Sequence, residues 1–283
     1  MQYLISTISD VACEEGNGDW EQLTYTERTA PLAVKNGLGL ELAEFCITDN
    51  MENSFEKVLP HVEKCAAAVE LKTLHAPYNE LFPMAIDPKI VAVAYGRYDK
   101  AWQYCLRFGA SKMIVHANYV EDLYYPSWFV NRHVAFWQRF LREHPEEIVI
   151  CVENVMERTP EMLLEIVQKV NAPRLRLCLD VGHANLSDVN PIEWLRAWAP
   201  YISHYHIHNN DGPLPGQRRN MGDKHAALDK GNIDMLALLR TAEELTPDAT
   251  AAVESYEPEA CVRWLRQVGF IRREEGLEPN KLK

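Results

Sequence analysis

Four histidines and three carboxylates fall where short apolar runs end: His75 in LHAPY, His116 in VHAN, Glu153 in CVENV, Asp180 and His183 in CLDVGHAN, His206 in HYHIHNND, and Glu254 in AVESY. Glu153, Asp180, His206 and Glu254 make a mixed oxygen and nitrogen donor set. Such a set suits a divalent ion, with zinc or manganese first and cobalt, magnesium or iron compatible. Two of its members, Glu153 and Glu254, are also the residue type for moving a proton to and from carbon. Any one of these residues alone reads equally well as a buried polar group satisfied by its neighbours. A shared strand-end position for all of them argues for a metal site.

A second layer is His75, His116, His183, Asp223 and His225, enough to hold one or two further metals. His204, His206 and His208 alternate along one run, so all three point to one face of a strand. At most two of them can reach a metal, and His204 reads as an interior residue held by hydrogen bonds. Whether His206 or His208 is the ligand stays open. His208, Tyr78, Asn118, Arg218 and Lys224 are candidates for touching substrate, and Asn154 for orienting its neighbours. Trp20, Tyr78, Phe82, Tyr124 and Trp128 can wall a sugar pocket, although Trp128 reads equally as helix packing. Arg218, Arg219 and Lys224 form a locally basic loop. His61, His133 and His144 lie on helix-like segments and are expected at the surface.

The elements that must position these residues alternate in type. Strands are expected at 2–8, 37–45, 71–77, 112–118, 147–155, 174–182, 201–208 and 249–256. Helices are expected between them, at 26–36, 52–69, 88–109, 127–143, from 159 onward, and at 191–198, 233–245 and 257–269. Pro60 must then sit at a kink or boundary. Gly109 is placed as a helix C-cap, and Thr159 as an N-cap ahead of Pro160. Eight strands, each followed by a helix, imply an α/β fold with an all-parallel sheet closed into a single (β/α)8 barrel. One rim of such a barrel, at the C-terminal ends of its strands, carries the chemistry. The barrel is expected to take residues 1–272, with 273–283 as a solvated tail.

The chain has 283 residues, 47% of them apolar and 25% charged, which suits a globular protein with a sizeable core. Its net charge of −12 argues against broad nucleic-acid binding. Seven cysteines with no C-x-x-C pair read as reduced thiols. No apolar run approaches a membrane span and the N-terminus has no basic region ahead of a long apolar stretch, so a cytoplasmic location is expected. GLGLE at 37–41 lacks the third glycine of a dinucleotide site, and no G-x-S-x-G elbow is present, so no nucleotide cofactor is expected.

LCLDVGHAN, HYHIHNNDG, the downstream DKH and the GNID ahead of a helix together resemble the xylose isomerase-like TIM-barrel superfamily, over nearly the whole chain. That group takes in endonuclease IV-type AP endonucleases as well as sugar and sugar-phosphate isomerases and epimerases. Resemblance to the endonucleases implies a trinuclear zinc site on His75, His116, Glu153, Asp180, His183, His206, Asp223, His225 and Glu254. Resemblance to ketose 3-epimerases implies one metal on Glu153, Asp180, His206 and Glu254. The endonucleases' AGQG-like run is replaced by VMERTP here, their Cys-His by Val-Gly-His, and the His-x-His-Asp of many relatives ends in Asn209. HAPYNELFP and LDVGHAN are closer to the isomerase branch. The expected activity is therefore isomerisation or epimerisation of a sugar or sugar phosphate through an enediolate, with Glu153 and Glu254 as the acid–base pair. A zinc-dependent AP endonuclease is the alternative, with DNA as partner only in that case, and a non-catalytic sugar-binding barrel is a minor one. The sequence leaves a homo-oligomer open.

Overall fold

The computed structural model describes residues 1–8 and 24–272. Eight strands pair in parallel, in chain order, and the last closes on the first: β1 Gln2–Ser6, β2 Gly39–Leu42, β3 Lys72–His75, β4 Lys112–His116, β5 Val149–Glu153, β6 Leu175–Asp180, β7 Ile202–Ile207 and β8 Thr250–Val253. This is the expected (β/α)8 barrel. The strands are nearly all buried because helices cover their outer faces. Register then sets the height of the site: His116 pairs with Glu153 and Asp180 with His206, so these side chains leave neighbouring strands at matching levels.

Local signals fix several helix ends. Thr24 and Glu27 form a reciprocal capping box ahead of α1 Tyr25–Asn36. The helix closes on Gly37 at φ 64°, a left-handed conformation that costs glycine little. The long helix α4 Pro88–Phe108 follows α2 Thr48–Glu52 and α3 Phe55–Ala67. Asp87 caps its start and Gly109, at φ 70°, its end. The shell between helices and strands holds the large side chains, Trp102, Trp137, Trp194 and Trp198 among them. Inside the barrel a small apolar cluster of Ile114, Cys151 and Cys178 gives way to polar residues. Lys112 of β4 crosses that interior to Thr250 of β8, and burial lowers its pKa.

Several local expectations need correction. The helix expected over 52–69 runs only over α3, Phe55–Ala67, with α2 ending at Glu52 just before it, and Pro60 lies inside α3 rather than at a kink or boundary. The N-cap of the helix Glu161–Val170 is Pro160, not Thr159, and no side chain caps it. Every strand is shorter than its apolar run because the ends of those runs turn into rim loops. His61 is exposed, but His133 and His144 are buried: His133 lies on the face of the helix Pro126–Glu143 that meets the barrel, and His144, just past its end, packs against α4. His133 bonds the Ala117 carbonyl and His144 bonds Asp99. All six cysteines among the described residues are free and buried, and Cys13 lies outside them. No described helix is long and apolar enough to cross a membrane. The expected tail at 273–283 lies outside the described residues.

Candidate metal centre

His206, near the end of β7, sits at the middle of the rim. Its Nδ1 lies 3.2 Å from Glu153 Oε2, 3.5 Å from Glu254 Oε1 and 3.9 Å from Asp180 Oδ2. Glu153 and Asp180 end β5 and β6, and Glu254 follows β8 directly. His208, two residues further along, shares only Asp180 with this group. It contacts Asp180 at 3.1 Å and stacks on His225, with centroids 3.9 Å apart.

Two further groups flank the first. His75 and His116 approach Glu153 Oε2 at 3.4 and 3.3 Å. On the other side His183 and His225 approach Asp223 Oδ2 at 3.1 and 3.3 Å, and His208 completes a four-residue cluster with them. Three of these rings share one arrangement. His75 Nδ1 faces the Ala76 carbonyl, His183 Nδ1 the Asn154 carbonyl and His225 Nδ1 the Glu254 carbonyl, each at 2.8–2.9 Å. A carbonyl only accepts, so each Nδ1 carries the proton and each Nε2 turns toward a carboxylate. Metal-binding histidines are held in this way.

The charges match. Burial pushes Glu254 up to about 7. Burial also works to raise Glu153, but His116 and His206 outweigh it and hold the carboxyl well below its usual range. Burial lowers His225, yet Asp223 wins and raises it to about 9. Glu153 Oε2, His206 Nδ1, His208 Nδ1 and Asp223 Oδ1 are buried without a well-formed hydrogen bond. Unpartnered buried polar atoms are costly, and cations at the two clusters, one beside Glu153 and His206 and one beside His208 and Asp223, would satisfy them. The residues present therefore fit one or more divalent ions.

Gly182 bears on the second cluster. A Cβ there would lie 1.9 Å from His208 Cε1 and 2.4 Å from its Nδ1. The Val-Gly-His departure in LDVGHAN thus makes room for the His208 ring. Gly182→Ala should displace that ring at a cost of about 1–3 kcal/mol. Zinc titration of the variant should lose the weaker binding step while the main one persists.

Glu157 gives a test that does not depend on activity. Its carboxyl is buried, one oxygen accepting from Val155 N–H at 2.8 Å and the other unpartnered, and burial raises it to about 7. An unfolded chain ionises it from about 4.5, so stability is lost as pH rises from there to 7 and levels off above. In chelator-treated protein Glu157→Gln should therefore match wild type near pH 4.5 and exceed it by roughly 3 kcal/mol at pH 8. Denaturant unfolding at the two pH values checks this.

A cavity of about 360 Å³ opens over the centre, lined by His75, Tyr78, His116, Asn118, Glu153, His183, Asp223, His225 and Glu254, with Ile8, Asn79, Glu80 and Val155. Tyr78 stacks on His116 with centroids 4.4 Å apart, and Asn118, at φ 56°, holds the Tyr78 and Leu81 carbonyls. Arg218, Lys224 and His208 are not among the lining residues. Lys224 pairs with Asp211 at 3.0 Å, and Arg219 reaches the Met156 carbonyl. Of the aromatic set, only Tyr78 among the described residues lines the cavity: Phe82 and Tyr124 pack on the core, Trp128 is exposed beside Arg132, and Trp20 is outside the described residues. Asn154 braces Asp180, bonding both its N–H and its carbonyl. As expected, His204 is held by hydrogen bonds, to Thr250 and Glu41. Glu41, in β2, was not anticipated. A lone acid between Leu40 and Leu42 in a buried strand was the available signal.

The profile of a family described as xylose isomerase-like TIM barrel matches residues 36–273. An uncharacterised protein of Methanocaldococcus jannaschii, MJ1311, is 26% identical over 195 residues, which is 64% of this chain. The match spans 63% of that relative's length. Among solved structures, a D-tagatose 3-epimerase-like protein superposes with a TM-score of 0.69 at 20% identity, over 95% of this chain and 97% of the other. An IOLI protein carrying a zinc atom gives 0.69 at 19%, over 95% of each chain. At such identities the structural likeness speaks to fold alone. The family match covers most of the chain, and the chain belongs to the xylose isomerase-like TIM-barrel family.

Proposed function

We propose that this protein is a divalent-metal-dependent isomerase or epimerase acting on an open-chain sugar. The observation that carries this reading is the convergence of Glu153, Asp180 and Glu254 on His206 Nδ1 beneath an open cavity. Those four residues would hold the catalytic metal, with zinc or manganese the best fit to the donors. His183, His208, Asp223 and His225 would take a second, weaker ion only in excess metal, and full three-metal loading that also uses His75 and His116 belongs to the second reading. A bound divalent ion supplies Lewis-acid polarisation of a carbonyl. Glu153, held ionised, removes the proton beside the substrate carbonyl, leaving its electron pair in an enediolate. Glu254, raised toward neutrality, delivers a proton to the opposite face. Tyr78 and Asn118 shape the cavity wall.

Support also comes from the similar fold of a D-tagatose 3-epimerase-like protein and of a zinc-carrying IOLI protein. A second reading, phosphodiester hydrolysis at abasic DNA, is favoured by the extra His and Asp groups on both flanks. Against it, the cavity lining among the described residues carries no lysine or arginine, which suits a neutral sugar better than a polyanion. Elemental analysis of protein purified without chelator separates them. About one metal per chain with activity on ketoses supports the first reading. Three zinc ions with cleavage of an abasic oligonucleotide supports the second, and no metal after reconstitution contradicts both.

A further inference from the structure

Beneath the candidate metal centre a line of buried polar residues crosses the barrel interior. Lys112 of β4 donates to Thr250 Oγ1 at 2.9 Å and to the Ser203 carbonyl. Thr250 Oγ1 lies 2.6 Å from His204 Nδ1, against 3.5 Å from the Ser203 carbonyl. His204 Nε2 lies 2.9 Å from Glu41 Oε2, which also accepts from Thr73 Oγ1 at 3.0 Å. The other oxygen, Glu41 Oε1, is 3.0 Å from His206 Nε2. Lys112, Thr250, His204, Glu41 and Thr73 are all buried, and they come from β4, β8, β7, β2 and β3.

The line has a direction. An ammonium group only donates, so Thr250 Oγ accepts from Lys112 and spends its own proton on the nearer partner, His204 Nδ1. His204 then carries its proton on Nε2 and donates it to Glu41. A carboxylate only accepts, so Glu41 Oε1 is left to receive from His206. That contact is short but off the ideal hydrogen-bond line, and neither Oε1 nor Nε2 has a well-formed partner elsewhere. With the proton on His206 Nε2, the lone pair of Nδ1 faces Glu153, Asp180 and Glu254.

We infer that Glu41 is a positioning residue for the candidate metal centre: held by Thr73, His204 and the Lys112–Thr250 pair, it fixes the orientation and tautomer of His206 so that Nδ1 presents its lone pair to the metal. This rests on the reading of Glu153, Asp180, His206 and Glu254 as metal ligands. A carboxylate that orients a metal-binding histidine typically contributes 10–100-fold to metal affinity. The isosteric Glu41→Gln offers one acceptor oxygen where two histidines need one each.

The test is a zinc titration against a competing chelator on four proteins: wild type, Glu41→Gln, His206→Ala, and the double variant, with circular dichroism to verify the fold. Glu41→Gln should weaken zinc binding by about 10–100-fold. The same change made in His206→Ala should weaken it by no more than about twofold, because coupling through a shared partner vanishes when that partner is gone. Equal losses in both backgrounds would make Glu41 a general structural residue and overturn the inference, as would unchanged zinc binding in Glu41→Gln. Should Glu41→Gln not fold, the zinc-loaded wild type labelled with ¹⁵N-histidine decides. A protonated Nε2 and metal-bound Nδ1 on His206 support the inference, and the reverse assignment overturns it. A wild type that takes up no zinc contradicts the metal reading itself and is thereby distinguished from failure of Glu41's role.

Discussion

Glu254→Gln is expected to lower kcat for ketose epimerisation by about 10²–10⁴-fold, the usual range for losing a positioned general acid or base. The residue follows β8, is 3% exposed, and lies against the cavity with Ser6 donating to it at 3.3 Å. The amide keeps the shape and can still accept from Ser6, so the melting temperature should move by only a few degrees. What it loses is the ability to release and regain a proton. Substrate affinity should fall less than kcat, because a group acting mainly in the transition state contributes little to the ground state. Glu153→Gln should be at least as damaging. That carboxylate meets His75, His116, His183 and His206 together, so removing its charge leaves buried imidazoles uncompensated as well as removing a base. Steady-state kinetics paired with thermal melts separate the two contributions.

Metal removal should have the second large effect. Chelation is expected to abolish turnover, and addition of Mn²⁺, Co²⁺ or Zn²⁺ to restore it. Stability should follow occupancy. An ion present at about a hundred times its Kd adds roughly 2.7 kcal/mol to the folded state. For a barrel of this length that corresponds to a rise of roughly 5–10 °C in Tm on reloading. Uptake should also release protons: burial works to lower the imidazoles of His183 and His206, but Asp180 and Asp223 beside the first, and Cys178 with Glu254, Glu41 and Glu153 around the second, push them well above their ordinary range, and they must be neutral to bind. A scanning calorimeter and a weakly buffered titration check the two parts separately.

The barrel was legible from the sequence because a parallel strand covered on both faces must be a short apolar run, and eight such runs separated by helical stretches leave little choice but closure. The residues that converge at the rim were legible for the same reason: His75, His116, Glu153 and Asp180 are the last residues of their strands. His206 and His208 were not separable in the sequence, since alternation puts both on one face; in the structure both reach Asp180, but only His206 also approaches Glu153 and Glu254. Glu41 was hidden because its partner His204 is 163 residues away and it lies inside a strand, not at its end. His133 was misplaced because a helix sequence gives its amphipathic period but not the depth of the face that meets the barrel. The basic loop at 218–224 looked like a substrate grip, yet Lys224 and Arg219 are engaged by Asp211 and by the Met156 carbonyl. Single charges in a loop do not announce which neighbour will take them.

Metal-dependent proton transfer next to a sugar carbonyl can be followed by isotope exchange. Metal-loaded protein is incubated with a panel of ketoses in D₂O, and deuterium at the carbon beside the carbonyl is followed by NMR. Uptake of one deuterium at that carbon is expected in at least one ketose, together with its epimer or isomer, and both signals should vanish in Glu254→Gln. Full metal occupancy with no exchange in any ketose, alongside cleavage of an abasic oligonucleotide, would contradict such proton transfer.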